Sequence, residues 1–197
     1  MNSTAHSGHS LADALFSRNL GRVADLSMIL AGSLLIALLA QLSVPIGPVP
    51  ISGQTLGVLL IGGALGARKA FWSVFAYVAE GAAGLPVFAG GRAGIAVLIG
   101  PTGGYLIGFV AAALIVGWLC EHGLVKRPLT AFAAMLAGSS VIYLFGTLWL
   151  ARFTGWSLVL PSGVYPFLFG DALKAMIAAL ALPGAWAFLN RRADRKS

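Results

Sequence analysis

Six apolar runs, at about 26–44, 54–67, 69–85, 102–121, 129–151 and 166–189, leave this chain little polar sequence from which to build a water-facing surface. A bilayer core takes about 20 apolar helical residues to cross, and several runs approach or exceed that length. In lipid, each backbone N–H and C=O needs a partner within the protein, so lipid-exposed runs of this kind fold as helices. The chain is 58% hydrophobic and 10% charged, with mean hydropathy +0.89, which sets it apart from soluble domains. These features predict an all-α integral membrane protein with six transmembrane helices. The second run, about 14 residues or 21 Å long at 1.5 Å per residue, predicts a tilted or broken span, or one that continues into the Pro45–Pro50 loop. The expected organisation is a mobile cytoplasmic tail over 1–25, carrying His6 and His9, then a membrane domain over 26–190. A basic cytoplasmic tail over 191–197 follows, and no room is left for a soluble domain.

The thirteen Lys and Arg residues fix an orientation. With the amino terminus inside, ten of them fall in cytoplasmic segments: Arg18, Arg22, Arg68, Lys69, Lys126, Arg127, Arg191, Arg192, Arg195 and Lys196. Two, Arg92 and Arg152, fall outside, and Lys174 lies within the last run. Ten against two follows the positive-inside rule and predicts that both termini are cytoplasmic. The net charge of +7 is therefore read as juxtamembrane anchoring rather than as a nucleic-acid surface. Aromatic residues agree, with Trp72, Trp118 and Trp186 expected near the inner interface and Tyr105, Trp149 and Trp156 near the outer. Small residues at Gly62-x3-Gly66, Gly100-x3-Gly104-x3-Gly108 and Ser33-x3-Ala37 mark places where helices can approach closely, within the chain or between subunits.

Asp171 and Lys174 lie in the last apolar run at i, i+3 spacing, so a helix presents both on one face. A charge at the centre of a membrane helix costs roughly 2.5–3.5 kcal/mol on insertion scales. Keeping two of them on one face points to a polar site within the protein, or to a pair that only neutralises itself. Absences narrow the chemistry. No Gly-Lys dipeptide occurs, so there is no Walker A loop and no means of hydrolysing ATP within the chain. His122 is the only histidine beyond the first 25 residues, no His-Glu-x-x-His occurs, and no metal site is expected. The single Cys120 excludes an internal disulfide and reads as an apolar filler at the cytoplasmic end of a span.

Between the third and fourth runs lies Gly84-Leu85-Pro86-Val87-Phe88-Ala89-Gly90-Gly91-Arg92-Ala93-Gly94, then Gly100-Pro101-Thr102-Gly103-Gly104-Tyr105. It lacks a Gly-x-Gly core for phosphate and reads better as an outer loop capping a ligand cavity. Arg92 is then either a solvated loop arginine or a partner for an anionic ligand group.

These strings, together with Pro48-Val49-Pro50-Ile51-Ser52-Gly53-Gln54-Thr55-Leu56 and Gly170-Asp171-Ala172-Leu173-Lys174, closely resemble the BioY family. The resemblance runs in order over residues 26–189. BioY proteins are the biotin-binding S components of energy-coupling factor (ECF) vitamin transporters. The resemblance implies a multi-pass protein of the inner (plasma) membrane that captures biotin from outside. It implies association with a transmembrane coupling subunit and two cytoplasmic ATPases, which would supply what the missing Walker A cannot. It implies no cofactor, biotin being cargo, and no enzymatic activity. Carried onto this sequence, Asp171 and Lys174 match the family's last-helix motif that contacts the biotin head group, and Arg92 a basic partner for the valerate carboxylate. Tyr77, Gln54 and Phe88 are candidates for lining the cavity, beside their reading as ordinary packing residues. Ser33-x3-Ala37 is the nearest candidate for docking onto the coupling subunit. The sequence departs from the family pattern at Ala172-Leu173, usually bulkier, and at Glu80, often apolar.

Three other functions compete: a self-contained biotin facilitator or proton-coupled carrier, an S component for another vitamin, and an intramembrane enzyme acting on lipid through Asp171. The last lacks a nucleophile–base pair. An S component for thiamine or riboflavin would be expected to lack the Gly-Asp-x-x-Lys string.

Overall fold

Proline and glycine divide the apolar sequence into helices. The computed structural model describes residues 10–11 and 21–194, side chains as far as 188. The first helix, α1 (Gly21–Gln41), stops three residues short of the expected end at 44. Val44 precedes Pro45 and is pushed toward extended backbone. Pro45, Pro48 and Pro50 have no N–H to continue a helix. The segment instead forms a small antiparallel ribbon of β1 (Ser43–Val44) and β2 (Ile51–Ser52), with Ser43 opposite Ser52 and Val44 opposite Ile51. An all-α expectation omits this ribbon, which carries site residues. Next come α2 (Gln54–Leu65), α3 (Ala67–Ala82), the short α4 (Ile95–Ile99), α5 (Gly103–Glu121), α6 (Pro128–Thr154), the short α7 (Val159–Gly163) and α8 (Tyr165–Asp194).

Among the described residues, four stretches are long and apolar enough to cross a membrane: α1, α5, α6 and Val159–Phe188. The 12-residue α2 is only about 18 Å long at 1.5 Å per residue. It meets the 16-residue α3 at Gly66, whose φ of +78° an L side chain rarely adopts, so the chain breaks there between two short helices. Of the expected tail, residues 1–9 (with His6 and His9) and 12–20 lie outside the described residues. Ser10 and Leu11 are buried, and Gly21–Asp25 already belong to α1. At the other end α8 continues to Asp194, and residues 195–197 lie outside the description.

Two buried clusters fill the interior. One, around Tyr77, Phe88, Tyr105, Phe109 and Phe167, surrounds the ribbon and the loops. The other, around Leu11, Leu59, Val116, Met135 and Trp186, fills the opposite part of the helix packing. Small residues set the helix spacing. A Cβ on Gly108 of α5 would lie 3.0 Å from Ile142 Cα of α6, and one on Gly62 of α2 would lie 2.9 Å from Val116 Cβ of α5. Gly100 lies in the turn before α5, where its carbonyl accepts the Trp149 indole N–H at 2.9 Å. Cys120 is buried, its thiol donating to the Gly63 carbonyl at 2.9 Å.

One expectation is corrected. Ser33 and Ala37 are buried, and Ser33 Oγ donates to Glu80 Oε2 of α3 at 2.6 Å, so this small-residue stripe packs inside the chain and offers no outward docking face. The same bond accounts for Glu80. Tyr105 is buried within the protein, its hydroxyl donating to the Gly163 carbonyl at 2.7 Å.

One close helix approach yields a stability prediction. A Cβ on Gly117 of α5 would collide with the backbone N and Cα of Ala67, which cannot rotate away. Gly117→Ala is expected to cost about 1–3 kcal/mol, read as a lower melting temperature in detergent. Gly184→Ala, with nothing within 4 Å of the added methyl, is expected not to lower it. Equal melting of the two variants would contradict the α3–α5 approach.

Candidate functional site

Ser52 of the ribbon, the first turn of α2, the middle of α6 and the second turn of α8 converge on Asp171. It is 6% exposed despite its charge. Lys174 Nζ lies 2.8 Å from Asp171 Oδ1, donates to the Ser52 carbonyl at 2.7 Å and to Thr55 Oγ1 at 3.0 Å. Thr55 Oγ1 donates in turn to Asp171 Oδ1 at 3.0 Å, and the Tyr143 hydroxyl to Oδ2 at 2.6 Å. An ammonium has three N–H donors, and all three of Lys174's are engaged within the protein. A carboxylate accepts about four hydrogen bonds, and Asp171 accepts three, leaving capacity on Oδ2. The pair is therefore more than a mutual neutralisation, since it ties α8 to the ribbon, α2 and α6.

Above this cluster opens a cavity with about 550 Å³ of void, its open mouth included. Asp171, Lys174, Gln54, Thr55, Ser52 and Tyr143 supply its polar wall. Phe88, Tyr105, Phe109, Ile142 and Phe167 are among its apolar lining residues. Gln54 is 6% exposed; its Oε1 accepts from Ser52 Oγ at 2.7 Å and its Nε2 donates to the Tyr77 hydroxyl at 2.5 Å. One amide N–H of Gln54 remains for a ligand.

Of the expected site residues, Asp171, Lys174, Arg92, Gln54 and Phe88 line this cavity. Tyr77 does not. It is fully buried behind Gln54, its ring edge-on to Phe88 at 5.6 Å, and so acts on the wall from behind. Arg92 lies at the mouth, where the Phe88–Arg92 loop closes through Phe88 N–H to the Arg92 carbonyl at 3.0 Å. Gly90 and Gly91, at φ +68° and +73°, permit that tight loop. Arg92 Nε donates to the Ala89 carbonyl at 3.1 Å, leaving the other four guanidinium N–H groups. The arrangement can pair an acceptor and an amide donor with a small polar ring, enclose an apolar body in aromatics, and meet an anion at the rim.

Comparison with known proteins gives this geometry a context. The BioY family model matches residues 9–191. The chain belongs to the BioY family. Among its relatives, the biotin transporter BioY2 of Lactococcus lactis subsp. cremoris is 40% identical over 158 residues, covering 79% of this chain and 86% of that protein. The probable biotin transporter BioY of Pyrococcus horikoshii is 44% identical over 141 residues, covering 72% and 83%. The fold is similar to the crystal structure of the S-component for biotin from an ECF-type ABC transporter. The TM-score is 0.76 at 28% identity, over 84% of this chain and 92% of that one.

Sequence reasoning passed over Tyr143, Thr55, Ser52 and Tyr105, which line the candidate cavity of this BioY-family chain. Tyr143 did carry a signal: it lies mid-way along an apolar run, away from the interfaces where membrane tyrosines collect. Ser52 and Thr55 lay within the quoted ribbon string, without any mark of their side-chain partners.

Proposed function

We propose that this protein is the substrate-binding membrane subunit of a biotin uptake transporter. The observation that carries the proposal is the buried Asp171, with acceptor capacity on Oδ2, in the wall of an aromatic cavity in a BioY-family chain. Biotin offers a ureido ring with two N–H donors and one carbonyl, a thioether ring and a carboxylate tail. Asp171 Oδ2 accepts from a ureido N–H, and the remaining N–H of Gln54 donates to the ureido carbonyl. Lys174 holds the carboxylate in place through its contact with Oδ1. Should Lys174 release the Ser52 carbonyl when ligand enters, it too can donate to the ureido carbonyl. Phe88, Phe109 and Phe167 enclose the apolar ring, and Arg92 meets the carboxylate at the mouth.

The finer architecture belongs to the same proposal. Six spans, with α2 and α3 as the short pair and both termini cytoplasmic, follow the ten-to-two Lys and Arg bias. The cavity then opens outward from the inner (plasma) membrane, with cytoplasmic segments over 1–25 and 191–197 flanking the 26–190 membrane domain. A transmembrane coupling subunit and two ATPases deliver biotin inward. Leu26, Leu30, Leu34 and Leu38 form an exposed i, i+4 stripe on α1 for lipid or that subunit. This is a transport protein, not an enzyme. A proton-coupled carrier would need a titratable relay through the cavity; Glu80 is bonded to Ser33 and is not among the lining residues.

Co-purification with an ATP-hydrolysing module, and biotin uptake that depends on it, is the expected result. Uptake by the chain alone in vesicles would contradict the subunit role. For Arg92, Arg92→Gln is expected to weaken biotin by about 1 kcal/mol, roughly fivefold, and to erase the preference for biotin over biotin amide in competition binding. A preference that survives the substitution would remove Arg92 from the carboxylate site.

A further inference from the structure

A second cavity lies between the amino-terminal halves of α1 and α3 and shares no lining residue with the first. Its void is about 1170 Å³, open side included. At one end are Asp25, Arg68, Lys69 and Glu121; beyond them the walls are apolar, with Leu26, Leu30, Trp72 and Phe75 among the lining. From Asp25 to Leu30, and from Arg68 to Phe75, the lining changes from ionic to apolar within about 8–11 Å of helix at 1.5 Å per residue. Trp72 and Phe75 are 47% and 48% exposed, stacked edge-on at 5.6 Å. A small aqueous ligand gains nothing from that apolar length. A purely apolar partner helix would leave four charged groups facing it. A groove ionic at one end and apolar along the other matches a single phospholipid at the membrane interface.

The charges specify the head group. Lys69 Nζ pairs with Asp25 Oδ1 at 3.1 Å, and Glu121 Oε1 accepts the Ala67 N–H at 2.9 Å. Arg68 is exposed and has no ion-pair partner among the described residues. Its planar fork matches the two anionic oxygens of a phosphodiester. With Arg68 and Lys69 set against Asp25 and Glu121, this end of the groove is neutral overall, which suits a zwitterionic head group better than a purely anionic one. The Asp25 side chain is 55% exposed, so it can receive a second donor. We infer that this groove binds one zwitterionic phospholipid with a primary ammonium, of the phosphatidylethanolamine type. The phosphodiester sits against Arg68, the ammonium against Asp25 and Glu121, and an acyl chain along Trp72 and Phe75.

The test uses the full chain, reconstituted in equal parts phosphatidylethanolamine, phosphatidylglycerol and phosphatidylcholine, then released into mild detergent for native mass spectrometry. The expected result is one retained phosphatidylethanolamine, favoured over both other lipids. Phosphatidylcholine shares the phosphodiester and positive charge but lacks N–H donors. Arg68→Gln is expected to lower that retention about threefold, and Trp72→Ala to lower it too, with biotin binding unchanged in both. Equal retention of the three lipids would overturn the inference, as would a preference for phosphatidylglycerol. A preference for phosphatidylethanolamine unaltered in both variants would place the lipid elsewhere and overturn it equally.

Discussion

Lys174→Met is expected to abolish biotin binding and to lower the melting temperature of the unliganded protein. The substitution keeps an unbranched side chain of similar length but removes three donors at once, to the Ser52 carbonyl, Thr55 Oγ1 and Asp171 Oδ1. Removing one member of a buried ion pair typically costs about 3–5 kcal/mol, because the surviving charge stays desolvated. Asp171 also loses the cation that fixes it beside Thr55 and Tyr143, so the acceptor it offers a ureido N–H is no longer held in place. Stability and affinity should therefore fall together. Thermal melting with and without biotin reads both, and a Lys174→Met protein stabilised by biotin as well as the wild type would contradict the role given to Lys174.

Asp171→Asn is the second large effect. Asparagine occupies nearly the same volume, so cavity shape is retained while one acceptor oxygen becomes an N–H₂ donor. If that amide nitrogen faces Tyr143, two donors oppose each other where the structure has a 2.6 Å hydrogen bond. If it faces Lys174, an ammonium loses its counter-charge at 2.8 Å. Neither orientation restores the charged acceptor for a ureido N–H, and the expected loss is about 1.5–3 kcal/mol of binding, roughly tenfold to 150-fold. Equilibrium binding measures it directly, and wild-type affinity would remove Asp171 from the ligand site. The contrast between the variants is informative. Asp171→Asn leaves Lys174 its bonds to Ser52 and Thr55, so it is expected to damage stability less than Lys174→Met does.

Much of this arrangement was legible in the sequence where a pattern is local. Apolar runs announced the long helices because membrane insertion depends on a segment's own composition. Asp171 and Lys174 pointed to a candidate site because charge is costly in such a segment and their spacing places them on one face. The three prolines of the Pro45–Pro50 string ended the helix, although nothing in it indicated that Ser43 and Val44 would pair with Ser52 and Ile51. What stayed hidden was mostly the choice of partner. Tyr143 bonds an oxygen 28 residues away, and Ser33 bonds Glu80 across 47. Small residues in α1 signalled a close approach, but period alone could not tell α3 from a second protein. Tyr105 likewise gave no sign of its partner, the carbonyl of Gly163, 58 residues on.

The central claim is that the cavity above Asp171 receives biotin. Equilibrium binding of radiolabelled biotin to the purified full-length chain in detergent, with desthiobiotin and biotin amide as competitors, tests it most directly. The account predicts saturable, tight binding that desthiobiotin competes for through its intact ureido group, that is weaker for the amide, and that is strongly reduced by Asp171→Asn. No saturable binding by demonstrably folded protein would contradict it.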